Sequence, residues 1–129
     1  MTHEVNFFVL SEFRCPCCGR VEAATALIFW CDVLRRAVGR PVRVNSGFRC
    51  GARNAAVGGA RLSRHLIGCA ADLALPVGVR YEDFTGIARR FAGVNWEIEV
   101  YDSRTYFHMA VPREQSGHLW NGERRLKFL

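Results

Sequence analysis

An α+β fold in one domain spanning residues 1–129 is what this sequence predicts, and three observations carry that expectation. Two stretches, Val21 to Val38 and Tyr81 to Phe91, repeat apolar residues at helical spacings of three and four. Trp96 to Tyr101 and Tyr106 to Val111 alternate polar and apolar residues around Asp102-Ser103-Arg104-Thr105, a hairpin pattern. Two further short β-like runs, Val42 to Ser46 and Ala70 to Leu75, stand between glycine- and proline-rich connections.

Asn6 to Phe13 is an opening segment that offers Leu10 and Phe13 to a core before a cysteine-rich turn. In the first helix, Ala23, Ala26, Leu27, Trp30, Cys31, Leu34 and Val38 share one face. Arg35 and Arg36 suit its C-terminal end, and Gly39 stops it before Pro41. The strand Val42–Ser46 leads into a glycine-punctuated connection from Gly47 to Gly59, with a helical turn near Arg53 to Val57. Pro76 closes the strand Ala70–Leu75, and the second helix places Phe84, Ile87, Ala88 and Phe91 together. After the hairpin, a polar and basic tail ends in Leu126, Phe128 and Leu129, which are expected to dock on the body.

Half of the 129 residues are apolar and nine are phenylalanine, enough to bury a core and to exclude disorder. No 18-residue apolar run occurs, and the first residues lack a basic region followed by an apolar one. The expectation is therefore no transmembrane helix and no secretory signal, with synthesis in the cytoplasm. The formal charge is +6, and eight arginines fall between Arg35 and Arg64. Such a field attracts polyanions, whether nucleic acid, anionic lipid or anionic cell-wall polymer, without choosing among them. No zinc finger, helix-turn-helix pattern or interleaved aromatic motif supports specific nucleic-acid recognition.

Six cysteines are present. Cys31 and Cys69 read as small buried hydrophobes, and most of the six as free thiols. Cys15-Pro16-Cys17-Cys18-Gly19 can hold a metal or form a disulfide, but no matching Cys-x-x-Cys pair follows downstream. Its role is open at this level.

His65 and Asp72 stand seven positions apart, and His108 follows later on the hairpin. Three ligands of mixed nitrogen and oxygen type point to one catalytic Zn²⁺, because a fourth position is left for water. Pairing Tyr101 with Tyr106 across the turn sets Glu99 directly opposite His108 and Glu97 opposite Ala110. Opposed Cβ atoms in an antiparallel pair lie about 4.5–5.5 Å apart. In the chemistry this suggests, a carboxylate takes the water proton and returns it to a leaving amine, with Glu99 first in rank and Glu97 second. Arg49 suits a substrate carboxylate or a developing oxyanion. Spacing alone also fits plainer roles: a surface histidine at a turn, an aspartate paired with arginine, a hydrogen-bonded strand histidine and the solvated side of a hairpin.

The surrounding residues narrow the choice. Val44-Asn45-Ser46-Gly47-Phe48-Arg49, Asn54, Val57-Gly58-Gly59-Ala60 and Ser63-Arg64-His65-Leu66-Ile67-Gly68-Cys69-Ala70-Ala71-Asp72-Leu73 occur in that order. This run closely resembles peptidase family M15, the zinc D-Ala-D-Ala carboxypeptidases and murein endopeptidases, particularly small phage-type members. Leu10-Ser11-Glu12-Phe13 resembles the family's opening, Phe107-His108-Met109 its final strand, and Asn121-Gly122-Glu123-Arg124-Arg125 the tail of small viral members.

The resemblance implies helices against a central antiparallel sheet, zinc held by His65, Asp72 and His108, and Arg49 and Ser63 lining the substrate site. It implies cleavage at or beside D-alanine in peptidoglycan, at the cell wall or periplasm. A virus particle or a lysis partner would then give access to the wall. Three departures stand out: Phe48 replaces the usual tyrosine, Ala110 replaces a polar residue, and Thr105 falls where the carboxypeptidase branch has its catalytic glutamate. They leave a second expectation, a non-catalytic peptidoglycan- or capsid-associated binding module of the same fold.

Overall fold

The computed structural model describes residues 2–127. Its centre is a four-stranded antiparallel sheet of β2 (Val44–Ser46), β3 (Ala70–Ala74), β4 (Glu97–Val100) and β5 (Tyr106–Ala110), in the order β2-β3-β5-β4. A separate two-stranded sheet joins β1 (Thr2–Glu4) to β6 (Arg125–Lys127), with His3 opposite Leu126. Helices α1 (Thr25–Val38), α2 (Gly51–Ala56) and α3 (Tyr81–Arg90) complete the α+β architecture. Among the described residues, no helix is long and apolar enough to cross a membrane.

Strand alternation divides the central sheet into two unlike faces. Ala71 and Leu73 of β3 pair with Met109 and Phe107 of β5, and all four are fully buried. They belong to one core with Leu27, Trp30, Cys31 and Leu34 of α1 and Phe84 and Ala88 of α3. The Phe84 and Phe107 rings meet edge to face at 4.9 Å, and Trp30 Nε1 donates to the Ala88 carbonyl at 2.9 Å. The edge strand β4 is less well covered, leaving Val100 exposed although its neighbour Ile98 packs on the core.

The opposite face carries a polar row. Ser46 of β2 pairs with Asp72, Asp72 with His108, and His108 with Glu99, one residue from each strand. The expected hairpin register is therefore the observed one, with Glu97 also opposite Ala110. Arg104 takes a positive φ of 54° in the turn, and its N–H donates to the Tyr101 carbonyl.

Element boundaries differ from expectation mainly at α1, which begins at Thr25 rather than Val21. The backbone before it is already engaged: Ala24 N–H donates to Gly68, and Ala23 accepts from Trp120. Ala24 accordingly keeps an extended φ/ψ of −64°/139°. At the other end Gly39 adopts φ 70°, and its N–H donates to the Arg35 carbonyl, closing the helix as the sequence predicts. The helical turn expected near Arg53–Val57 is the short α2. In the tail Leu126 is buried, while Phe128 and Leu129 lie outside the described residues.

Buried Asp32 was not singled out in the sequence. Its carboxylate accepts from the backbone N–H groups of Asn6 and Phe7 and lies 2.8 Å from His3 Nε2. It thereby ties the N-terminal segment to α1.

Candidate metal centre and active site

His65 sits on a single 3₁₀ turn, Arg64–Ile67, between Ser63 and Gly68. The Ser63 hydroxyl accepts the His65 backbone N–H at 3.2 Å, and Gly68 ends the turn at φ 72°. The ring itself is oriented from another part of the chain: Nδ1 lies 2.6 Å from the Gly47 carbonyl. A carbonyl can only accept, so Nδ1 carries a proton there, which leaves Nε2 as the nitrogen that would ligate a metal. Gly47 itself permits close approach, since a Cβ there would lie 2.7 Å from Phe13 backbone atoms.

Nε2 faces Asp72 and His108. His65 Nε2 is 3.3 Å from Asp72 Oδ1 and 3.3 Å from His108 Nδ1, while His108 Nδ1 is 2.8 Å from the same Asp72 oxygen. Donor atoms of a tetrahedral shell with bonds of about 2.0–2.1 Å stand about 3.3 Å apart. The three groups therefore form a candidate metal-binding cluster whose spacing and donor chemistry fit a zinc ion. Burial acts to raise the Asp72 pKa, but hydrogen bonds and charge from His108 and His65 hold it well below the usual carboxylate range.

Arg49 supports the cluster from one side. Its Nη2 donates to Asp72 Oδ2 at 3.3 Å, Nε to Ser46 Oγ at 3.0 Å, and Nη1 to Asn54 Oδ1 at 3.3 Å. Asn54 is held in turn by donating to the Ala60 carbonyl at 2.9 Å. A guanidinium has five N–H donors, so this network leaves two unused on the side chain. Arg49 therefore orients Asp72 while keeping two donors outside this network.

A cavity of about 570 Å³ opens over the polar face and includes Arg49, Ser63, His65, Asp72 and His108 in its lining. Glu97, Glu99, Tyr101 and Tyr106 form its hairpin wall. The two glutamates differ in engagement. Glu97 pairs with Arg64 at 3.2 Å, whereas Glu99 makes no ion pair among the described residues. Thr105 lies outside this lining, in the turn, where its hydroxyl meets Ser103.

Tyr101 is a site residue that sequence reasoning passed over. Its ring stacks on Tyr106 at 4.7 Å, and burial followed by the charge of Glu99 pushes its hydroxyl up to about 12. It remains a neutral donor at ordinary pH. The hairpin register contained the signal, because Tyr101 shares the face of Glu99.

A family model described as Peptidase M15 matches residues 6–110. The chain belongs to the peptidase M15 family. Its similarity to the zinc D-Ala-D-Ala carboxypeptidase of Streptomyces albus G is 43% identity over 79 residues. That alignment covers 54% of this chain and 31% of the relative, so the chain corresponds to about a third of that protein's length. The peptidase M15 match takes in every residue of the polar row and both supports of His65, Gly47 and Ser63. The 3₁₀ turn Arg113–Gly117 lies beyond it, although the Arg113 side chain folds back to the Leu62 carbonyl at the cavity.

Proposed function

We propose that this chain is a zinc peptidase hydrolysing peptide bonds at or beside D-alanine in peptidoglycan stem peptides or cross-links. The observation that carries this reading is the convergence of His65 Nε2, Asp72 Oδ1 and His108 Nδ1 beside a glutamate with no ion-pair partner among the described residues. Zinc bound there supplies a Lewis acid for the scissile carbonyl and a water of lowered pKa. Glu99, opposite His108, takes the proton of the attacking water on its carboxylate and returns it to the leaving amine. Glu97 is the second candidate for that role, and its pairing with Arg64 ranks it lower. The two unused Arg49 donors bind a substrate carboxylate or the developing oxyanion, while Ser63 both caps the His65 turn and borders the bound peptide. The name of the Streptomyces relative and the +6 charge support an anionic, D-alanine-containing wall substrate.

His65→Ala should remove one equivalent of zinc and abolish the release of new amino groups from purified peptidoglycan. Glu99→Gln should retain the metal and lose activity by about 10²–10⁴-fold, with Glu97→Gln within a few-fold of the parent. The reverse ranking would make Glu97 the base. Zinc-loaded protein that binds peptidoglycan without releasing amino groups would instead favour the binding-module reading.

We infer that residues 1–129 form one zinc peptidase domain, and limited proteolysis giving two stable pieces would refute that. The finer assignment to a phage-type member, reaching the wall through a virus particle or lysis partner, rests on the likeness of Asn121–Arg125 to small viral tails. The neighbouring genes of the source genome test it.

A further inference from the structure

A second set of ligand-type side chains lies outside the cavity, where two chain segments meet. The sulfurs of Cys15, Cys18 and Cys50 all lie within 4.8 Å of one another. Cys15 Sγ and Cys50 Sγ are 3.6 Å apart. Thiolates around a tetrahedral zinc with bonds of about 2.3 Å stand about 3.8 Å apart, whereas a disulfide needs about 2.05 Å. The observed spacing matches the first geometry. Three sulfurs also exceed what one disulfide can use.

The backbone is shaped for the same purpose. Cys15-Pro16-Cys17-Cys18-Gly19 places two cysteines at the Cys-x-x-Cys spacing common in structural zinc sites. Gly19 closes that turn at φ 76°, and its N–H donates to the Cys15 carbonyl at 2.9 Å. The Cys50 N–H points at Cys15 Sγ from 3.4 Å. Cys15 is fully buried at the meeting point of the two segments. Cys17, exposed between Pro16 and Cys18, is not among the three sulfurs that converge.

We propose that Cys15, Cys18 and Cys50 form a structural thiolate site for a second zinc ion, with its fourth position open to solvent beside the exposed Cys18. The missing half of the expected Cys-x-x-Cys arrangement is the single distant Cys50. This site joins the Phe13–Cys18 segment to the Gly47–Cys50 segment. The same two segments are already linked by the Phe48 N–H donating to the Phe13 carbonyl at 2.8 Å. Gly47 supplies the carbonyl that orients His65, and Arg49 holds Asp72. Zinc held by these thiolates would therefore fasten the loop that positions the proposed catalytic centre. Its existence is independent of the peptidase reading; only this positioning role rests on it.

Metal analysis with cobalt replacement separates the two centres. The parent protein, purified under reducing, non-chelating conditions, should bind about two equivalents of metal, and its cobalt form should show strong sulfur-to-cobalt charge-transfer absorption. His65→Ala should keep one equivalent and the full charge-transfer band. Cys18→Ser should keep one equivalent and lose most of the band. One equivalent in the parent, with no band, would overturn the proposal whatever the peptidase activity.

A second measurement does not require the cysteine variant to fold. In zinc-loaded His65→Ala protein, exposed Cys18 should resist alkylation at least tenfold more than after zinc removal, as mapped by mass spectrometry. Equal labelling with and without zinc would refute the site, as would a Cys15–Cys50 disulfide recovered from freshly purified, unreduced protein.

Discussion

A Cβ at Gly59 would lie 2.1 Å from Asn54 Oδ1 and 3.0 Å from Arg49 Nη1, so any larger residue displaces the side chain that holds Arg49. Asn54 is itself buried and bonded to Ala60, leaving it little room to yield. Gly59→Ala should weaken the Arg49–Asn54 hydrogen bond and lower kcat/KM on a muropeptide by about tenfold, the equivalent of one hydrogen bond to a charged group. Zinc content should stay near that of the parent. Asn54→Ala should move the same parameter in the same direction, and an unchanged kcat/KM in both would remove Arg49 from substrate handling. The Gly58-Gly59 turn was visible in the sequence, but its reason was not, because the crowding comes from a helix residue folded back over the turn. Glu99 was the converse case. Its place opposite His108 followed from hairpin loop length and strand alternation, whereas the commitment of Glu97 to Arg64 joins residues 33 positions apart and has no local pattern.

At the level of elements, α1 and α3 meet through an apolar contact that also carries a hydrogen bond. Trp30 is fully buried, lies 5.1 Å ring to ring from Trp96, and donates Nε1–H to Ala88. Trp30→Ala should cost about 3–5 kcal/mol in urea unfolding. Trp30→Phe should cost less, but should still leave the Ala88 carbonyl without its donor. A loss below about 1 kcal/mol for the alanine variant would mean that the helix pair is not the centre of the core. Both helices were legible because their apolar spacing records one buried face. The early end of the α1 prediction failed at Val21–Ala24, where Trp120 and Gly68 compete for the same backbone groups. The Cys50 partner of the cysteine turn was similarly unreadable, since 35 residues separate Cys15 from it.

Across the whole molecule, acid stability should be governed in part by Asp72. Its folded pKa lies below the unfolded value of about 3.9. Because the shift is downward, the stabilisation is fully present above the unfolded pKa and is lost as pH falls toward the folded one. Metal-free protein should therefore unfold at progressively lower urea concentrations below about pH 4. Asp72→Asn should be less stable at neutral pH and show a flatter acid limb, while parallel limbs for the two proteins would refute this assignment. The overall α+β arrangement was open to sequence reasoning because one sheet face is apolar and the hairpin sets its register. Asp32 and the pairing of β1 with β6 were not, since each depends on contacts between remote parts of the chain.

The row Ser46–Asp72–His108–Glu99 has a further consequence for how this chemistry tolerates change. Each member is addressed by counting along a strand, and side chains alternate faces with every residue. One residue added inside β5 ahead of His108 would not displace the imidazole slightly; it would turn it into the core and bring Phe107 or its replacement out. Two added residues would restore the parity but move the imidazole to a different rung. Errors of length here are all-or-none, while the same insertions in the exposed Asp102–Arg104 bend leave the count on each strand intact. The site is thus stored digitally in the sheet, and drift in sequence length is confined to the bends.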